Sequence, residues 1–320
     1  MKPNKDFNLP KISVIVASFN SQSRSFLGRC LETIKNQEYN GEVELIVVDG
    51  GSTDESVSIS LSLGAKVIHN PQVTELGFNG GKNLGIKNST GEFIAIVDAD
   101  NILIGKDYLE KMIRPFLEDE EISMTVPLPY MPSASDCTMI CRYFCLLERK
   151  LWQAMMESGY TNGSWVKVNP SKIVVSNGAI IRRSVLNHIG GWDYDTEVGY
   201  RLINGGFGTF GIVNSAERLH IEMIHLIDVW KKFKRRIINQ IEDRDAKIVS
   251  QKVINYYKEK PLEFIREEFL TPLKNITNGY KRFFPIVLAV FFTKLALGLY
   301  YIVLYHKSKI KSTSHGFSAS

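Results

Sequence analysis

This chain lacks a strong charge imbalance. Its 39 Lys and Arg stand against 34 Asp and Glu, a formal net charge of +5 over 320 residues. So small an excess leaves no electrostatic footprint for nucleic acid, and no such partner is expected. Cysteine is scarce: four residues exclude a disulfide scaffold and suit a reducing compartment. Three of them, Cys137, Cys141 and Cys145, recur at helical spacing, which reads as one core helix face and not as the loop spacing of a metal or cluster site. The opening Met1–Pro10 is polar and holds no apolar h-region, so a signal peptide is not expected. Long apolar runs are also rare. The one that stands out, 283–305, carries a single charge, Lys294, and is flanked by Lys281, Arg282, Lys307, Lys309 and Lys311. A spanning helix needs roughly 20 apolar residues, and basic flanks suit an anionic membrane surface. Membrane association is expected, either spanning or lying in the interface. A second basic cluster, Lys231, Lys232, Lys234, Arg235 and Arg236, fits either a lipid surface or a solvated helix face.

What is present is a repeated strand–helix pattern. Ile12–Ala17, Val43–Val48, Ala65–His69 and Phe93–Val97 are short, apolar and rich in β-branched residues, as buried strands are. Between them, Phe26–Asn36 and Lys82–Asn88 read as helices, as does a segment ending near Gly64 and capped by Ser52 or Thr53. Strand–helix alternation predicts a parallel sheet flanked by helices. Further on, Pro127, Pro129 and Pro132 suggest a linker or loop, Cys137–Glu157 a helix, and Ile173–Val175 and Ala179–Ile181 strands. Ser184 is placed as the cap of a short helix, and Val198–Ile203 as a helix ended by Gly205 and Gly206. From Leu226 to about Lys258 the chain is amphipathic and highly charged.

In parallel sheets ligands bind beyond the carboxyl ends of the strands. Ala17, Ser18, Phe19 and Asn20 follow the first strand, Asp49 closes the second, and Asp98-Ala99-Asp100 follows the fourth, so these scattered residues should converge. Two carboxylates one residue apart can share a divalent cation, and their hard oxygens suit Mg²⁺ or Mn²⁺ with open positions for diphosphate. The rival role for Asp100 is a helix N-cap. Asp49 can accept hydrogen bonds from a base or ribose, or simply close a turn. The segment Gly77–Gly85 brings glycines and Lys82 to a helix start, where backbone N–H groups attract phosphate. It does not follow the first strand, so it is not the dinucleotide fingerprint of a dehydrogenase. The basic glycine-rich loop of a nucleotidyltransferase is likewise missing after Ala17.

Taken together, Ile12–Asn20, Ile46–Asp54 and Gly91-Glu92-Phe93 leading to Asp98-Ala99-Asp100 resemble the nucleotide-sugar-binding half of the family-two glycosyltransferases. Gly50 stands where that family usually has a second Asp. Gly190-Gly191-Trp192-Asp193, continuing through Asp195 and Glu197 to Tyr200-Arg201-Leu202, is similar to the family's acceptor-side acidic motif, with Tyr194 in place of its Glu. The resemblance implies an α/β glycosyltransferase-A fold: a mainly parallel central sheet flanked by helices, here with a C-terminal helical extension. It implies a nucleotide-sugar donor (UDP- or GDP-sugar), inversion at the anomeric carbon, and Mg²⁺ or Mn²⁺ on Asp98 and Asp100, with His220 or His225 where relatives carry a histidine near the metal. Ala17, Ser18, Phe19, Asn20, Asp49, Lys82, Asp98 and Ala99 fall on the nucleotide side. Trp192, Asp193 and Glu197 fall on the acceptor side, with Asp195 as the base and Glu197 as its runner-up.

The expected organisation is a tail (1–10), a nucleotide-sugar-binding half (11–125), an acceptor-binding half (126–225), an amphipathic helical extension (226–280), an apolar membrane segment (281–306) and a basic tail (307–320). The acceptor is expected to be a glycan or a lipid-linked molecule at the cytoplasmic face of a membrane. A polyprenyl phosphate acceptor is the main alternative. A non-catalytic membrane-associated protein on the same fold is the rival from another class.

Overall fold

The computed structural model describes residues 9–22, 25–70, 81–161, 163–170, 177–192, 195–221 and 225–231, with 285–286, 288–289 and 292 in the C-terminal stretch; side chains are described for these except at 195 and 196. Several expectations lie outside the described residues. They are the glycine-rich 77–80, the strand 173–175, Asp193, the carboxylate of Asp195, the charged stretch beyond 231, and most of 283–305. Among the described residues, no helix is long and apolar enough to cross a membrane.

The chain divides into two compact units, 1–132 with 148–221, and 133–147 with 222–320. The first unit holds a ten-stranded sheet. In chain order its strands are β1 (Leu9–Ser18), β2 (Gly41–Asp49), β3 (Lys66–His69), β4 (Phe93–Ile96), β5 (Asn101–Ile104), β6 (Met124–Pro129), β7 (Tyr160–Thr161), β8 (Val166–Val168), β9 (Ile180–Arg182) and β10 (Phe210–His220). The helices are α1 (Phe26–Lys35), α2 (Ser56–Ser62), α3 (81–87), α4 (Tyr108–Glu118), α5 (Met139–Met156), α6 (Arg183–His188) and α7 (Asp195–Asn204). α5 runs from the second unit into the first.

The order β3-β2-β1-β4-β9-β6-β10-β8-β7, with β5 on β10, is parallel from β3 through β4, as the strand–helix alternation predicts. Antiparallel β9 then sits between β4 and β6. The nucleotide-side and acceptor-side halves read from the sequence therefore share one sheet. Both faces are covered, which is why the strands are apolar throughout instead of alternating. Ile12, Val14 and Val16 pack with Leu27 and Leu31 of α1 and with Leu109 of α4, while Ile15, Ile46 and Ile94 face the other core with Trp192 and Leu202. α3 presses on that second face so closely that a Cβ at Gly85 would stand 2.5 Å from the Ile15 side chain.

Three local expectations are corrected. Pro127 and Pro129 are not in a linker but in β6, every residue of which is buried. β9 pairs with β6 only at Met124 and Thr125, and β10 slips register between Val213 and Glu217, so the prolines' missing N–H groups fall where the ladder is already broken. Neither Ser52 nor Thr53 caps α2, whose N-cap position is Glu55. The Ser52 hydroxyl instead accepts from the Asn20 N–H at 2.8 Å, and the Asp54 carboxylate accepts from the Ser56 N–H at 3.0 Å. Ser184 lies inside α6, whose N-cap position is Arg182. The expected helices around 82–88, 137–157 and 198–203 are present as α3, α5 and α7.

Candidate active site

The parallel register brings the strand ends to one edge. Ser18 lies opposite Asp49, and the Val97 N–H donates to the Ile15 carbonyl at 3.0 Å, which carries Asp98 to the same level. Asp98-Ala99-Asp100 is a tight link between β4 and β5. β5 begins at once with Asn101, so the helix N-cap role for Asp100 is excluded. The turn is held by the Asn101 N–H on the Asp98 carbonyl at 3.0 Å. The Asn101 carboxamide donates to the same carbonyl at 3.3 Å and to Asp100 Oδ1 at 3.2 Å.

Two cationic or imidazole groups meet this pair. Lys82 Nζ, on a side chain with only 5% exposure, is 3.2 Å from Asp98 Oδ1. His220 Nε2 is 3.4 Å from Asp100 Oδ1. His220 arrives through β10, which pairs antiparallel with β5 in the register His220 opposite Asn101. Of the two candidate histidines, the structure thus brings His220 to the acidic pair. His225 belongs to the second unit, where its backbone N–H donates to Asp228 Oδ2 at 2.9 Å and opens the helical turn 226–231. Asp98 and Asp100 keep 32% and 21% of their side chains exposed, so both reach solvent. Among the described residues, no three of His, Cys, Asp and Glu form a complete metal site. Hard carboxylate oxygens with an imidazole nearby nonetheless fit Mg²⁺ or Mn²⁺, which commonly take one or two carboxylates and leave the rest of their coordination to water and phosphate.

Behind the pair lies a group the sequence reading missed. Cys30, fully buried on α1, donates to the Asp98 carbonyl at 3.6 Å. Burial, and then the charges of Asp100 and Asp98, hold its thiol far above the ordinary range, so it stays neutral. Its only signal in the sequence is a place on the apolar face of α1.

The loops that follow β1 and β2 are tied together. Asp49 is 4% exposed, and its Oδ2 accepts from the N–H groups of Gly51 and Ser52 at 2.9 and 3.0 Å. The Asn20 carboxamide oxygen accepts from the Thr53 N–H at 2.8 Å, and Asn20 adopts a left-handed φ of 48°. These contacts make Asn20 a brace between the β1 and β2 loops. Ala17 and Ser18 are buried, and the Ser18 hydroxyl has no hydrogen-bond partner. Phe19 is the exposed member of the group.

The acceptor-side motif yields one correction. Trp192 has no accessible surface, so it cannot offer the expected face to an acceptor. It is a packing residue beneath Lys82, whose Nζ lies 5.8 Å from the indole centroid. Asn83, also missed from the sequence, clasps its backbone: the Trp192 N–H donates to Asn83 Oδ1 at 2.8 Å, and Asn83 Nδ2 donates to the Trp192 carbonyl at 2.9 Å. Gly191 allows the approach, because its φ is +97° and a Cβ would stand 2.6 Å from Asn83 Oδ1. The clasp joins α3 to Trp192, three residues before α7. α7 starts at Asp195. Glu197, on its first turn, is half exposed and faces Arg201 at 3.9 Å.

Comparison with known proteins bears on this arrangement. Glycosyltransferase GlyG of Streptococcus pneumoniae is 28% identical over 187 residues, covering 56% of this chain and 58% of that protein. GalNAc(5)-diNAcBac-PP-undecaprenol beta-1,3-glucosyltransferase of Campylobacter jejuni is 35% identical over 101 residues, 30% of this chain and 31% of that one. Glucosyl-3-phosphoglycerate synthase of Mycobacterium tuberculosis, solved with Mn²⁺ and uridine-diphosphate-glucose, superposes with a TM-score of 0.46 at 18% identity, covering 66% of this chain and 71% of that one. The matched region spans between 30% and 58% of the length of three curated bacterial relatives. The profile of Glycosyl transferase family 2 matches residues 13–190, which include both strand-end loops, the acidic pair and the start of the acceptor-side motif. That match covers more than half of the chain, and the chain belongs to glycosyl transferase family 2.

Proposed function

We propose that this protein is a metal-dependent inverting glycosyltransferase that moves a sugar from a UDP- or GDP-sugar to a glycan or lipid-linked acceptor. The observation that carries the reading is the acidic pair at the carboxyl end of β4, with Lys82 3.2 Å from Asp98 and His220 3.4 Å from Asp100. Loss of the nucleoside diphosphate builds negative charge on its phosphate oxygens. Mg²⁺ or Mn²⁺ held by Asp98 and Asp100 supplies Lewis-acid stabilisation of that charge. Lys82 adds a fixed positive charge at the same place, buried and therefore weakly screened. Phe19, exposed at the end of β1, offers a ring face to the base, and the braced Asp49 loop offers polar groups to base or ribose. Asp195, at the start of α7, takes the proton from the acceptor hydroxyl as it attacks the anomeric carbon from the face opposite the leaving group.

A polyprenyl phosphate acceptor is the second reading. It draws support from the apolar, basic-flanked run 283–305, whereas the Campylobacter relative, a beta-1,3-glucosyltransferase acting on a PP-undecaprenol-linked glycan, favours the lipid-linked glycan of the first reading. Such an acceptor is already anionic, so Asp195 would orient it instead of deprotonating it. The apolar, basic-flanked run 283–305 supports a place at the cytoplasmic face of a membrane. The test is donor hydrolysis and nucleotide binding over a panel of UDP- and GDP-sugars with and without Mn²⁺. One nucleotide should bind tightly only with the cation. Binding of no nucleotide under any condition would overturn the reading.

A further inference from the structure

Asn101, the first residue of β5, has no accessible surface and yet carries a carboxamide. Its Nδ2 donates to the Asp98 carbonyl at 3.3 Å and to Asp100 Oδ1 at 3.2 Å. Its backbone N–H reaches the same Asp98 carbonyl at 3.0 Å. Turning the amide over would set its carbonyl against two acceptor oxygens, so this orientation is forced. Among the described residues, the buried Oδ1 on the other side of the amide has no hydrogen-bond partner. An orphaned buried acceptor costs stability, and an apolar residue of similar shape would avoid that cost. Packing alone gives no reason for Asn at this place; the Asp100 carboxylate does.

Asp100 is held from other sides as well. Its carbonyl accepts from the Ile221 N–H at 3.0 Å, which fixes its backbone beside the end of β10. His220, paired with Asn101 across β10 and β5, places Nε2 3.4 Å from the same Oδ1. A carboxylate has about four lone-pair sites, so contacts on one oxygen leave it able to take a cation. With 21% of its side chain exposed, it keeps a way to solvent. A metal ligand whose orientation is fixed beforehand has less freedom to lose on binding. We infer that Asn101 is a positioning residue, which sets the Asp100 carboxylate before a divalent cation arrives. The inference rests on the reading that Asp98 and Asp100 hold Mg²⁺ or Mn²⁺, and adds to it a buried residue that acts through those neighbours.

The test is calorimetry of cation binding to the full-length protein without nucleotide. It compares the unmodified chain with Asn101→Leu, which removes the amide at similar shape, and Asn101→Ala, which cannot overpack. Thermal melts in chelator show that each variant is folded. The Mn²⁺ dissociation constant should rise about 10- to 100-fold in both variants, the usual effect of losing a hydrogen bond to a metal ligand. Ca²⁺ accepts irregular oxygen shells, whereas Mg²⁺ demands a near-ideal octahedron. Loss of a pre-set carboxylate should therefore raise the Mg²⁺ constant several times more than the Ca²⁺ constant. A residue needed only for packing would lower the melting temperature and leave the cation constants unmoved. That result, or an equal rise for Mg²⁺ and Ca²⁺, would overturn the inference, and Mn²⁺ binding by the unmodified protein would leave the acidic pair's role standing. No Mn²⁺ binding by the unmodified protein would overturn the metal reading itself, and this inference with it.

Discussion

Lys82 and Asp98 form a pair in which the ammonium is nearly buried and the carboxylate is one-third exposed, with Nζ 3.2 Å from Oδ1. The asymmetry matters. A buried ammonium is costly without a partner, whereas Asp98 can turn to solvent or to a cation. Lys82→Met should therefore weaken donor binding by the worth of a charged hydrogen bond, about 1.5–3 kcal/mol, or roughly 10- to 100-fold in the donor KM. It should also tighten binding of Mn²⁺ measured without nucleotide, since a competing positive charge has gone. Calorimetry of Mn²⁺ alone and of nucleoside diphosphate separates the two effects. Weaker Mn²⁺ binding in Lys82→Met would show that the lysine supports the acidic pair instead of competing at it.

Metal removal gives the second expectation. Turnover should vanish in chelator and return with Mn²⁺ or Mg²⁺. Asp100→Asn should raise the cation concentration needed for half-maximal rate more than His220→Gln does, because a hard cation gains more from a carboxylate than from an imidazole. Full turnover in chelator would remove the proposed role of both aspartates.

The strand ends were legible in the sequence because buried parallel strands leave continuous β-branched runs, and the polar residues after Ala17, Val48 and Val97 mark where each run stops. The rest required long-range pairing. β10 and β5 bring His220 to Asp100 across more than a hundred residues, and no local pattern distinguishes His220 from His225. Pro127 and Pro129 read as loop residues because proline opposes a ladder; only the register slip in β10 shows why β6 tolerates them. Asn83 looked like an ordinary helix residue, since its two bonds go to the backbone of Trp192, far along the chain.

The third prediction concerns stability against pH. Glu44 on β2 accepts from the Ser13 hydroxyl at 2.6 Å and from the Thr90 N–H at 2.8 Å, binding β1, β2 and the turn before β4. Burial alone would raise its pKa, but the Ser13 and Thr90 hydrogen bonds, with Lys11 and Lys66 nearby, outweigh it and leave the group below the ordinary carboxylate value. A depressed folded-state pKa stabilises fully above the unfolded value of about 4.3, and that stability is lost as pH falls through the folded value. Glu44→Gln should cost on the order of 1 kcal/mol near neutrality, discounted for partial exposure. The gap to the unmodified protein should close in acid. Thermal melts at a series of pH values measure it, and a gap that widens below pH 4 would contradict the assignment.

The last prediction separates the catalytic base from its neighbour. α7 begins at Asp195, three residues after Trp192, whose backbone Asn83 of α3 clasps. Asp195→Asn keeps the size and most of the hydrogen bonding of the side chain but removes the proton acceptor. General base catalysis typically contributes about 10²–10⁴-fold, so turnover on a hydroxyl acceptor should fall by that order while donor binding survives. Glu197 is half exposed and already faces Arg201, so Glu197→Gln should act mainly on the acceptor KM. The reverse ranking, with Glu197→Gln inactive and Asp195→Asn active, would move the base two residues along α7. Full activity in both variants would mean that no proton has to be removed. Such an acceptor is already ionised, which is the property of a polyprenyl phosphate, and the donor site would stand unchanged while the acceptor assignment moved to that class.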